Sequence, residues 1–106
     1  MSIVMLGIDL AKNVFALHGL NEAGKVDLKR PAVVRGRLLA TVAALPPCTV
    51  AMESCSGAHH WAREFSKFGH TCKLIAPKFV TPFRMSGRRS KNDAADAAAI
   101  CAAAQK

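Results

Sequence analysis

Four acids stand out in this chain: Asp9, Glu53, Asp93 and Asp96. It has only seven acidic residues against fifteen lysines and arginines, a formal charge of +8. Acids that close or adjoin apolar segments in so basic a chain need a physical reason. Asp9 falls near the end of the apolar run over residues 3–10, and Glu53 directly follows Thr49-Val50-Ala51-Met52. Asp93 and Asp96 stand three apart at the start of an alanine-rich stretch, on a shared helix face that Ile100 continues toward a core. Two bare carboxylates ~4 Å apart repel by about 4 kcal/mol at an effective dielectric of 20. Four together call for a cation, and all-oxygen ligands select a hard one, so Mg²⁺ or Mn²⁺ is the expected cofactor. A pair of such ions about 3.5–4 Å apart activates a nucleophile and stabilises the leaving oxygen in phosphoryl transfer. Taken singly, each acid also has a bland role. Asp9 could form a turn, Glu53 a helix-capping turn, and Asp93 with Asp96 a favourable helix start. Their order along the chain favours the joint role.

The elements that must position these acids follow from periodicity. Residues 3–10 read as a strand buried on both faces. Residues 14–20 read as a second strand, Asn21-Glu22-Ala23-Gly24 as a turn, and residues 25–29 as an alternating, charged edge strand. Together they predict a three-stranded antiparallel meander. Val34, Leu38, Val42 and Leu45 then recur at helical spacing between Pro31 and Pro46-Pro47. A fourth strand ends at Glu53, and Ser56 is a candidate cap for a helix striped by Ala58, Trp61, Phe65 and Phe68 that Gly69 ends. Residues 72–76 form a fifth strand, residues 77–91 a loop, and the chain is helix-favouring from Asn92 onward. Strands joined by helical crossovers usually run parallel. The first, fourth and fifth strands are therefore parallel neighbours, in an α/β fold with a five-stranded mixed sheet. Their carboxyl ends lie at one end of the sheet, and strands lie ~4.8 Å apart, so Asp9 and Glu53 come close. The last helix begins at that same end.

Composition bounds the function classes. A chain of 106 residues makes one domain, with 51% hydrophobic residues and no apolar run long enough to span a bilayer. The default reading is a soluble, cytoplasmic domain. The last helix reaches Lys106 without Gly, Pro or a turn cluster, so the chain is expected to be the N-terminal part of something longer. The positive charge points to a polyanion, nucleic acid first. Lys78, Arg84, Arg88, Arg89 and Lys91 form an acid-free basic segment leading into Asp93, and with Lys12 they are the candidate nucleic-acid contacts. Phe79 and Phe83 suggest a short helix packing on the domain. One of His59 and His60 is expected in solvent. Cys48, Cys55, Cys72 and Cys101 contain no CxxC pair and read as small hydrophobes, with a zinc site at Cys55 and His59 disfavoured.

The segments Gly7-Ile8-Asp9-Leu10-Ala11-Lys12, Met52-Glu53-Ser54-Cys55-Ser56-Gly57 and Lys91-Asn92-Asp93-Ala94-Ala95-Asp96-Ala97 resemble the acidic motifs of the DEDD transposases. These are the insertion-sequence family numbered one hundred and ten, which includes the pilin-gene DNA invertases. The resemblance implies an RNase H-like fold close to that of the RuvC Holliday-junction resolvase, with Asp9, Glu53, Asp93 and Asp96 as a metal-binding catalytic tetrad. It implies DNA cleavage and joining, in some members guided by a bridge RNA, and a homo-oligomer. It also implies a second, carboxy-terminal domain that adds a catalytic serine and lies beyond residue 106. Three other readings compete. A sugar-kinase or actin-like ATPase would follow the first strand with Gly and Ser or Thr, where Ala11-Lys12-Asn13 stands here. The others are a resolvase-like nuclease and a non-catalytic basic nucleic-acid-binding module.

Overall fold

Apolar runs buried on both faces become the middle of a sheet. In the computed structural model, which describes residues 2–84 and 93–105 and, of Asp93 and Ala94, the backbone alone, the strands are β1 (Ile3–Asp9), β2 (Val14–Asn21), β3 (Val26–Val34), β4 (Thr49–Glu53) and β5 (Thr71–Ile75). Their order across the sheet is β3-β2-β1-β4-β5. β1 runs antiparallel to β2 and parallel to β4, with Ile8 opposite Met52. β4 runs parallel to β5, with Glu53 opposite Ile75. This is the expected α/β arrangement: an antiparallel meander, then two parallel additions.

The helices are α1 (Arg35–Ala43), α2 (Ala58–Ser66), α3 (Pro77–Val80) and α4 (Asp93–Ala104), with a 3-10 turn over Thr81–Phe83. Several boundaries differ from the expected ones. β3 continues to Val34 and takes in Pro31. An edge strand tolerates a residue with no N–H to donate, so Pro31 does not break it. Val34 is still extended, and α1 starts only at Arg35. Gly57, not Ser56, precedes α2, with no side-chain cap. The buried stripe of α2 is Ala58, Trp61 and Phe65, while Phe68 lies past the helix end and is exposed. The segment after β5 packs through Val80 rather than through Phe79 and Phe83, which stay exposed.

The two sheet faces are covered differently. α1 and α2 place Leu38, Val42, Trp61 and Phe65 on Leu6, Ile8, Val50 and Met52. α4 lies on the opposite face with Ala99, Ile100, Ala103 and Ala104 against Ala51, Ile75 and Val80. Here the helix backbone approaches the sheet directly. A Cβ on Gly7 would stand 2.6 Å from the Ala97 carbonyl oxygen and 2.9 Å from the Cys101 nitrogen, so only glycine fits beneath α4.

Beside α1, His70 is buried and ties two elements: it accepts the Cys48 N–H at Nδ1 (3.1 Å) and its Nε2 meets the Val42 carbonyl at 2.9 Å. Burial, with a lesser push from Cys72, raises the Cys48 thiol to about 11. Burial also raises Cys101 to about 11. These two behave as the small hydrophobes expected, whereas Cys55 is exposed. Among the described residues no helix is long and apolar enough to cross a membrane.

Candidate metal centre and nucleic-acid interface

Strand alternation decides which face each acid takes. Leu6, Ile8, Val50 and Met52 point toward α1 and α2, while Gly7 and Ala51 lie under α4. One residue beyond the Ile8–Met52 pair come Asp9 and Glu53, the last residues of their strands. Both therefore emerge side by side on the α4 face, at the carboxyl ends of β1 and β4. Asp9 is 7% exposed. α4 brings a third acid to this face: Asp96 is 1% exposed and lies one turn before the buried Ile100. Asp93 is the first residue of α4, and its side chain lies outside the described residues.

Glu53 and Asp96 are joined by an arginine. Arg84 Nη2 donates to Glu53 Oε2 at 2.9 Å, and Arg84 Nε donates to Asp96 Oδ1 at 3.1 Å. The arginine side chain is 4% exposed, against 14% for Glu53. This corrects the expectation that Arg84 belongs to an exposed basic rim. The Thr81–Phe83 turn, closed by the Arg84 N–H on the Thr81 carbonyl at 3.0 Å, aims the side chain inward. Burial pulls the guanidinium pKa down, and the hydrogen bonds to Glu53 and Asp96 outweigh it, leaving it above the ordinary arginine value. A planar fork that is always charged suits this task better than a lysine. Removing one partner of such a buried pair typically costs about 3–5 kcal/mol, because a bare charge stays behind.

The rest of the basic set is divided. Lys12 and Lys78 are exposed, and Lys78 Nζ lies 5.2 Å from the centre of the Phe79 ring. Arg88, Arg89 and Lys91 lie outside the described residues. At the same end of the sheet, a cavity of about 390 Å³ opens between the segments following β1 and β4, lined by Lys12, Ser56, Gly57, Arg35, His60 and Trp61 among others. Arg35 was not singled out by sequence reasoning. Its Nη1 donates to the Lys12 carbonyl at 3.0 Å and its guanidinium carbon lies 5.3 Å over the Trp61 ring. Both His59 and His60 are exposed, and His60 meets the edge of Trp61 at 5.0 Å.

The donor chemistry fits a hard divalent cation: three carboxylates, from β1, β4 and α4, on one face at one sheet end. Among the described residues, no group of three or more His, Cys, Asp or Glu stands in ready metal-holding geometry. The cluster is closed on an internal cation, the Arg84 guanidinium, which bridges two of the three acids.

Compared with known proteins, the chain is similar throughout its length to transposases. It is 45% identical over 106 residues, all of this chain and 30% of the relative, to the "Probable family 20 transposase" of Pseudomonas aeruginosa. It is 47% identical over 105 residues, 99% of this chain and 30% of the relative, to the transposase for insertion sequence element IS1328 of Yersinia enterocolitica. The transposase for insertion sequence element IS1111A of Coxiella burnetii is 45% identical over 104 residues, 98% of this chain and 28% of the relative. The chain thus spans under a third of the length of these curated relatives. No family model matches it.

Proposed function

We propose, because this chain belongs to the insertion-sequence transposases, that it is the acidic catalytic domain of a DNA transposase, acting by metal-dependent phosphoryl transfer. The carrying observation is the convergence of Asp9, Glu53 and Asp96 on one face at the carboxyl ends of β1 and β4. With Asp93 at the start of α4, these residues are the ligands for Mg²⁺ or Mn²⁺. Such an ion supplies Lewis acidity, activating an oxygen nucleophile and stabilising the leaving oxygen. The chain's own contribution is positional. Two strand ends and one helix fix the carboxylates, and close packing of α4 keeps Asp96 out of bulk water. Lys12, Lys78 and Arg35 border this end of the sheet and meet the DNA backbone, with Arg88, Arg89 and Lys91 further along the chain. The topology supports an RNase H-like, RuvC-like assignment. Strand exchange, a homo-oligomer and any guide RNA belong in this reading to the longer protein.

The test is metal-dependent nicking of supercoiled and branched DNA, scored beside DNA retention in a gel-shift assay. Wild-type chain nicks in Mg²⁺ and not in EDTA. Asp9→Asn loses nicking and binds DNA as well or better, having shed one negative charge. Equal nicking by the two proteins contradicts the tetrad. DNA retention with no nicking by either, together with no Mn²⁺-dependent rise in melting temperature, favours a basic binding module.

A further inference from the structure

We propose that Arg84 is an exchangeable counterion: it holds Glu53 and Asp96 together in the metal-free protein and leaves them when a divalent cation binds. The inference rests on the metal-binding reading above and adds a residue that acts against the metal. Arg84 is buried, and its two donors on one guanidinium edge serve acids from two different elements, β4 and α4. A rigid fork of this kind draws two carboxylate oxygens toward one another. That is the same convergence a hard cation requires, at oxygen distances of about 2.0–2.1 Å for Mg²⁺.

The two cations compete for the same oxygens. Glu53 Oε2 and Asp96 Oδ1 are each occupied by an N–H of Arg84, and a divalent ion on those oxygens would face a fixed positive charge beside it. A lysine could relieve that repulsion by losing its proton. An arginine cannot, so the side chain moves instead. The arrangement also explains how a cluster of acids survives without metal. The carboxylates stay paired and oriented, and metal loading replaces one cation by another rather than filling a repelling site. Arg84 is in this sense a positioning residue before loading and a competitor during it.

The test is Mn²⁺ titration of the whole chain, wild type beside Arg84→Gln, read by calorimetry, with melting temperature followed in both. Arg84→Gln melts lower than wild type without metal. It binds Mn²⁺ tighter by about ten-fold or more, since no internal cation limits the binding-competent fraction. Its melting temperature approaches that of wild type at saturating Mn²⁺. A merely structural arginine lowers stability and metal affinity together, and that result overturns the proposal. Equal affinity in both proteins also overturns the exchange and leaves the metal site standing. No binding by either overturns the metal reading itself. If Arg84→Gln does not fold, the wild type alone decides. The Arg84 Nε–H resonance, fixed by Asp96 in the metal-free chain, shifts and gains solvent exchange on adding Mg²⁺. An unmoved resonance at saturating Mg²⁺ contradicts the exchange.

Discussion

The two faces of the sheet solve different problems. The face under α1 and α2 is filled by Leu38, Val42, Trp61, Phe65, Phe15 and Met52. Large side chains bury much apolar area, each worth roughly 1.5–3 kcal/mol when fully buried. The face under α4 is built from Gly7 and a run of alanines. It buries less, but it lets the helix backbone lie on the strands. That close approach carries Asp96 to the strand ends where Asp9 and Glu53 emerge. One face supplies stability, and the other gives up packing volume to bring Asp96 to Glu53, through Arg84, at the sheet end where Asp9 also lies.

The largest effect expected from breaking this division lies on the thick face. Phe65→Ala should lower unfolding free energy by about 3–5 kcal/mol in urea denaturation, while the folded fraction keeps its response to Mn²⁺. Under α4 the stability cost is smaller and the effect on the acids larger. Gly7→Ala sets a methyl 2.6 Å from the Ala97 carbonyl and should cost about 1–3 kcal/mol. It should also weaken the Mn²⁺ response, because α4 has to lift away with Asp96. A glycine with open space around it gives the control. Gly36 in α1 has nothing within 4 Å of an added Cβ, so Gly36→Ala should gain about 0.4–1 kcal/mol and leave the metal response unchanged.

The smallest effect concerns pH. His18 lies opposite Gly7 on β2, and its Nδ1 is buried with no hydrogen-bond partner among the described residues. Burial, aided by the charge of Lys29, holds its pKa below the ordinary 6.5. The unfolded chain therefore takes up this proton near pH 6.5, while the folded chain resists it to a lower pH. His18's share of stability is complete above 6.5 and declines as pH falls from there through the lowered folded value. Melting curves between pH 7 and 5 should show a shallower decline in His18→Gln than in wild type.

How much of this was legible in the chain itself depends on how local each cause is. The central strands were readable because β1 and β4 are nearly unbroken apolar runs, and the helical crossovers left few topologies open. From that, Asp9 and Glu53 had to share a sheet end. Asp96 followed from helical spacing ahead of Ile100. Arg84 was not readable. In the sequence it sits among other basic residues, which normally stay solvated, and only the tight Thr81–Phe83 turn directs it inward. The same holds for Arg35, whose contact with Lys12 joins segments 23 residues apart. Pro31 read as the boundary before a helix because its edge position, which lets it sit inside β3, is a tertiary fact.

That Asp9, Glu53 and Asp96 act on one divalent cation is tested most directly by melting the chain across a Mn²⁺ titration, beside Asp9→Asn and Asp96→Asn. The wild type should rise to a plateau, worth about 2.7 kcal/mol at a metal concentration one hundred times Kd. Both variants should lose the rise. A wild type that shows no rise, or variants that rise equally, would contradict a shared metal site.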